Sequence, residues 1–153
     1  MAGLNLFAIQ DQILNYLQVS IPQFTVESGG IPTAESLPLQ NGRLDPYIVM
    51  RFSDMMPTSG GGSFVGPTND EYYSYIDCLC VGETDRDARE LANLANSYML
   101  GKKFDNASAI SKAFGGGSFA ILSSASKMPE AYIQITSYRM SVNLKDVGSG
   151  SNI

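Results

Sequence analysis

The chain contains no histidine, and this absence removes several kinds of catalytic site. A Ser-His-Asp triad and a Cys-His pair both need an imidazole as general base, so neither can form within this sequence. The two glycine triplets are not phosphate-binding loops, because neither is followed by Lys-Ser or Lys-Thr at the spacing of a P-loop. We therefore expect a protein that is not an enzyme and that holds no cofactor.

Cysteine is scarce as well, and the sequence offers few metal ligands. Cys78 and Cys80 lie two positions apart in a predicted strand, on the same face but too far apart for an easy disulfide. We interpret them as small buried hydrophobic residues; the alternative, half of a metal site, lacks any His or third Cys to complete it. Four aspartates near strand ends could hold a divalent cation, or could simply be solvated surface carboxylates: Asp45, Asp54, Asp70 and Asp77.

Positive charge is also sparse, with ten basic residues against fifteen acidic ones and a formal net charge of −5. No segment is strongly basic beyond Lys102 and Lys103, whereas a nucleic-acid-binding surface needs a basic stripe. We therefore expect no sequence-specific nucleic-acid binding. The first residues lack a basic segment, and Asp11 and Gln12 interrupt their apolar stretch, which argues against a signal peptide or a membrane span. These features favour a cytoplasmic protein.

The length and composition are those of one globular domain. The chain has 153 residues, of which 44% are hydrophobic and 16% charged. We expect a single domain over residues 1–144 and a flexible Gly- and Ser-rich tail over residues 145–153. With so few charged residues, we expect much of the surface to be neutral. Such a surface suits a subunit that packs against other subunits, and equally a small soluble domain with few charges.

A long strand followed by a capped helix is predicted in the middle of the chain. Residues 72–81 are rich in aromatic and β-branched side chains and contain no Pro or Gly. Thr84 is placed to be the N-cap of the following helix, and Asp85 and Asp87 put negative charge at the positive end of its dipole. Gly101 is suited to end the helix. The predicted apolar face of this helix consists of Ala88, Leu91, Ala92, Leu94, Ala95, Tyr98 and Met99.

The remaining elements complete a predicted α+β fold, in which a mixed or antiparallel sheet packs with an N-terminal helix and the central helix. We expect a helix over residues 6–18 capped by Asn5, strands over residues 24–27, 47–53 and 131–144, a loop over residues 31–45 and a short helix over residues 107–114. The strand over residues 47–53 is apolar on both faces, which indicates a central position. One face of the last strand becomes polar toward its C-terminal end, as expected where a strand extends beyond the residues that bury it.

The pentapeptide GGGSF occurs twice, at residues 60–64 and 115–119. The first copy falls in a thirteen-residue connection over residues 58–70, a length that is uncommon unless the segment is functional or disordered. The flanking sequences diverge at once, so the two copies do not indicate a repeat architecture. Either both are flexible loops, or they are contact loops that a partner orders. On the second interpretation the candidate contact residues are Ser59, Gly60, Gly61, Gly62, Ser63, Phe64, Phe114, Gly115, Gly116, Gly117, Ser118 and Phe119.

Three stretches carry a resemblance to a known family: DPYIVMRF at residues 45–52, YIDCLCVG at residues 75–82 and TDRDARELA at residues 84–92. With the order of helix, short strand, loop, strand, loop, long strand, helix and terminal strand, they resemble the tail terminator proteins of long-tailed, non-contractile bacteriophages. The stretches cover about a fifth of the chain, and the order of elements covers most of it.

The resemblance implies a small α+β subunit that closes into a ring, commonly a hexamer, on the head-proximal end of the tail tube. Such a ring stops polymerisation of the tube and offers a surface for joining to the head. The implied partners are further copies of the chain, the tail tube protein and the head connector or stopper protein. The implied location is the neck of the virion, reached from the host cytoplasm. The alternatives are another neck component, such as a head-side stopper or adaptor, and a non-viral binding module.

Overall fold

The structure, a computed structural model, describes residues 6–33, 37, 39–40, 43–53, 56–57, 71–104, 107–122, 125 and 129–143. Several predictions fall outside these residues: the cap at Asn5, the connection over residues 58–70 with its first GGGSF copy, and the tail over residues 145–153. These remain predictions.

Two helices and eight strands make up the described fold. In chain order they are α1 (Leu6–Ser20), β1 (Thr25–Ser28), β2 (Leu39–Gln40), β3 (Arg43–Leu44), β4 (Tyr47–Phe52), β5 (Met56–Pro57), β6 (Glu71–Gly82), α2 (Asp85–Met99), β7 (Ser111–Leu122) and β8 (Pro129–Asn143). The main sheet has the order β1-β4-β6-β8-β7, with β5 pairing to β6 beside this path. β1 runs parallel to β4, and every other neighbouring pair in the sheet is antiparallel. The predicted α+β class, with a mixed sheet, is confirmed.

Both helices pack on one face of the sheet. On α1, Ile9, Ile13 and Leu17 recur every four residues and are buried, because this spacing places them on one side of the helix. They share a core with alternate residues of β4 and β6, such as Ile48 and Ile76, and with the apolar face of α2. Burial of this continuous apolar layer holds the helices on the sheet.

The start of α2 follows the predicted cap. The Thr84 hydroxyl oxygen accepts a hydrogen bond from the Asp87 backbone N–H at 3.1 Å. At the other end, Leu100 is the C-cap residue and Gly101 follows it with a positive φ of 84°, so the glycine lies one position beyond the cap. Asn96 then anchors the helix to β8, because its Oδ1 accepts hydrogen bonds from the hydroxyls of Thr136 and Tyr138.

Among the described residues, the opposite face of the sheet is covered at one end only. There, a second apolar cluster includes Val49 of β4, Leu79 of β6 and Ile133 of β8, and it packs with Leu37 and Leu44. This burial on both faces confirms the central position predicted for β4, and β6 lies beside it inside the sheet. At the other end the row becomes polar, and its paired residues are Arg51, Asp77 and Ser137. The change from apolar to polar residues that was predicted along one face of the last strand is confirmed as well.

Two predictions of local structure are wrong. Residues 31–45 are not a continuous loop, since β2 and β3 form a short antiparallel pair whose Leu44 is buried in the second cluster. Residues 107–114 do not form a helix: Ile110 accepts from the N–H of Gly101 at 2.8 Å and donates to the carbonyl of Lys102 at 2.8 Å, and β7 begins at Ser111. In both segments, burial and strand pairing with distant residues override a weak local pattern.

Candidate subunit interface at the sheet edges

The two edges of the main sheet are β1 and β7, and they differ in length and in protection. An edge strand presents backbone N–H and C=O groups that can pair with another chain, so natural proteins usually shield such edges with charge, proline, a bulge or a covering side chain. The two edges are therefore the natural places to look for contact between subunits.

β7 contains the second GGGSF copy. The prediction of a loop over Phe114 to Phe119 is wrong, because this segment pairs with β8 as part of a twelve-residue strand. The pairing register shifts between Gly115 and Ser118, so the glycine triplet is accommodated as an irregularity of the strand. The predicted role of these residues in subunit contact remains a prediction.

The outer edge of β7 has little shielding. Residues 113–122 contain no charged residue and no proline, and Lys112 is the single charge of the strand. Phe119 and Leu122 are 45% and 50% exposed. Within the part of the chain that the structure describes, no strand pairs with this outer edge. Apart from the irregular register at its glycine triplet, this edge therefore carries none of the usual protection against strand pairing among the described residues.

The irregular part of β7 is fixed to α2 by one side chain. The Ser118 hydroxyl donates a hydrogen bond to Oδ1 of Asp85 in the first turn of α2. This bond, followed by the ion pair with Arg89 at 2.9 Å, lowers the pKa of the Asp85 carboxyl. Because successive side chains of a strand alternate, Phe119 lies on the face away from α2, next to its pairing partner Ile133.

β1, in contrast, is covered by the side chain of Gln18. The Val26 backbone N–H donates to Oε1 of Gln18 at 2.8 Å, and Nε2 of Gln18 donates to the Phe24 carbonyl at 2.7 Å. An N–H bonded in this way is not available to β4, so both backbone groups face away from the sheet. The sequence analysis did not single out Gln18, because hydrophobic periodicity gives no signal for a contact between a side chain and the backbone of another element.

A polar and aromatic patch lies at the other end of the sheet, on the face opposite the helices. The rings of Tyr73 and Tyr75 meet edge to face with centroids 5.4 Å apart, and the Arg139 guanidinium carbon lies 4.3 Å from the Tyr73 ring centroid. Next to them, the Ser137 hydroxyl donates to Oδ1 of Asp77 at 2.7 Å. We call Tyr73, Tyr75 and Arg139 the open-end patch.

The two cysteines are buried, which confirms their interpretation as small core residues. Both are fully shielded from solvent, and burial raises the pKa of the Cys80 thiol to about 12 and that of the Cys78 thiol well above its ordinary value. They are therefore neutral at physiological pH. Among the described residues, no three His, Cys, Asp or Glu side chains are grouped as metal ligands, and Asp54 and Asp70 lie outside that part of the chain.

Comparison with known proteins does not assign this chain to a family. None of the known family models matches this chain, and no curated protein sequence matches it. Neither described helix is long and apolar enough to cross a membrane.

Proposed function

We propose that this chain is a virion assembly protein of the tail terminator type, which caps the head-proximal end of a phage tail tube as a ring of identical subunits. The ring ends polymerisation of the tube and presents a surface for joining to the head. Its partners are further copies of itself, the tail tube protein and the head connector or stopper protein. It assembles in the host cytoplasm and resides in the neck of the virion.

The observation that carries the proposal is the pair of unlike sheet edges. A ring requires a heterologous contact, in which one patch of a subunit meets a different patch of the next copy. β7 is long, almost uncharged and open at its outer edge among the described residues, whereas β1 has four residues and is covered by Gln18. The three stretches that resemble the family lie on β4, β6 and the start of α2, the elements at the centre of the fold.

A terminator also needs two different axial faces, because one must match the end of the tube and the other must refuse a further tube ring. The sheet supplies such a difference between its two ends. One end carries the apolar cluster covered by Leu37 and Leu44, and the other carries the open-end patch with its aromatic rings and cation. The two ends therefore offer different chemistry to the components above and below.

Electron microscopy of phage lysates that lack only this chain tests the proposal. We expect abnormally long tail tubes that are not attached to heads, because nothing stops the addition of tube protein. Supply of the chain from a plasmid should restore normal tails. Tails of normal length beside detached or leaking heads would contradict termination and assign the chain to the head side of the neck, and intact particles would contradict a role in assembly.

A further inference from the structure

We propose that the β1 edge is a docking strand that Gln18 covers in the free subunit, and that its occupant is the outer edge of β7 from a second copy of this chain. The inference deepens the ring proposed above and rests on it. It assigns a contact to each edge and gives Gln18 a function in the timing of assembly.

The carboxamide of Gln18 occupies the place of a neighbouring strand. An amide side chain carries one acceptor and one donor group, like the peptide group of a strand. At 2.8 Å and 2.7 Å it satisfies the N–H of Val26 and the C=O of Phe24, which face away from β4. A strand that adds to this edge needs the same two backbone groups. Gln18 and an incoming strand therefore compete for them.

The outer edge of β7 fits this position in direction. β1, β4 and β8 run in one direction, and β6 and β7 run in the opposite direction. A ring axis roughly parallel to the strands preserves these directions from one copy to the next. β7 of one copy then meets β1 of the next in the antiparallel sense, in which backbone hydrogen bonds can form between the two strands.

Level and charge agree with this pairing. The registers place one row across the whole sheet, through Val26, Ile48, Cys80, Gln134 and Ser118. The irregular part of β7 therefore lies at the height of β1, with a shift of a few residues allowed for the stagger of a closed barrel. The single charge of β1 is the exposed Glu27 and that of β7 is the exposed Lys112, which have opposite sign and lie on opposite faces of the sheet, so no like charges of the two strands meet.

The first test is self-association of purified full-length protein, measured by sedimentation velocity over a concentration series. Gln18→Leu keeps the side-chain size but removes the competing amide, so we expect the association constant to rise roughly tenfold, the equivalent of one or two hydrogen bonds. Gln18→Glu keeps the acceptor and loses the donor to Phe24, and should fall between Gln18→Leu and the unsubstituted chain. Unchanged or weaker association of Gln18→Leu, with the fold intact by circular dichroism, would overturn the inference.

A second variant addresses the other edge without touching the core. A Cβ added at Gly117 meets no atom within 4 Å, so Gly117→Glu should fold normally while it places a negative charge on the β7 edge. We expect it to weaken association, also in combination with Gln18→Leu, because the new carboxylate faces Glu27 of the next copy. Asn93→Glu adds the same charge on the exposed side of α2 and is the matched control. Equal association of these two glutamate variants would contradict the assignment of β7, as would a monomer for every variant at the highest concentration.

Disulfide trapping identifies the partner edge. In a chain with both Glu27→Cys and Gly117→Cys, oxidation should link successive copies into a ladder of oligomers, whereas either single variant should give none. The native thiols are buried and un-ionised and so remain silent. Dimers from Gly117→Cys alone would mean that β7 pairs with β7, which overturns the inference. Disulfide trapping tests the contact between β1 and β7, whereas tail length tests the role in the virion. Either proposal can therefore be contradicted without the other.

Discussion

Truncation of Leu91 to alanine should destabilise the fold by an amount that the structure sets. Leu91 is 3% exposed and belongs to the cluster between α2 and the sheet. Leu→Ala changes in a core cost about 2–5 kcal/mol through lost burial and the remaining cavity. Leu91 also lines a groove of about 370 Å³ between α2 and the residues Phe24 and Pro46. Because part of the space left by the side chain joins this groove, we expect the lower half of the range, about 2–3 kcal/mol.

Urea unfolding at several protein concentrations measures this change. With an m-value of about 1–3 kcal/mol/M, the midpoint should fall by roughly 0.7–3 M with an unchanged slope. Leu100→Ala is the matched control, since Leu100 lies just beyond the same helix and is 42% exposed. Its midpoint should move by less than half as much. Equal shifts of the two midpoints, or no shift for Leu91→Ala, would refute the assignment of the buried face of α2.

Three further predictions concern local features of the same fold. Thr84→Ala should cost about 1 kcal/mol of unfolding free energy through the lost cap, whereas Thr84→Ser, which keeps the acceptor, should cost less; equal losses would exclude the cap as the cause. Gly82→Ala should cost at least about 1–3 kcal/mol, because the added Cβ would lie 2.6 Å from the backbone nitrogen of Ala88 and this atom cannot move away cheaply. Gly30→Ala, whose Cβ meets nothing within 4 Å, is its control, and similar thermal midpoints for the two variants would contradict the close approach. The raised thiol pKa of Cys80 means that the unfolded state ionises first, so the stability contribution present below pH 9 is lost as the pH rises toward 12. The fall in the urea midpoint from pH 9 to pH 11 should be shallower in Cys80→Ala, and an equal slope would contradict the burial argument.

The central elements could be predicted because several local signals agree there. The strand at β6 and the cap of α2 follow from residue type and spacing, and so does most of the apolar face of α2. Two residues predicted on that face differ, because Tyr98 is exposed and Leu94 is only half-buried. The segment around Ile110 and the second GGGSF copy could not be predicted, because their conformation depends on pairing with β8, which comes later in the chain. A glycine triplet usually favours a loop, but here pairing with β8, with a shift in register, holds the triplet within a strand.

The candidate interface could be predicted only in part. The sequence singled out residues near Gly115 by their composition, and the structure adds that they lie on a sheet edge. The contact made by Gln18 could not be predicted, since it joins a side chain to backbone groups six and eight positions away. Such a contact depends on how the end of α1 turns back along β1, and hydrophobic periodicity carries no information about that turn.

The position of β8 between β6 and β7 has a consequence for synthesis on the ribosome. β8, the last of the described strands, lies between β6 and β7, so β6 has only its β4 side paired and β7 has no described partner until residues 129–143 have emerged. A nascent chain that ends before this point would expose two long strands with free backbone groups, which makes it prone to aggregate or to be degraded. Completion of the sheet, and with it the burial of Tyr138 in the core, therefore comes late in the synthesis of the chain.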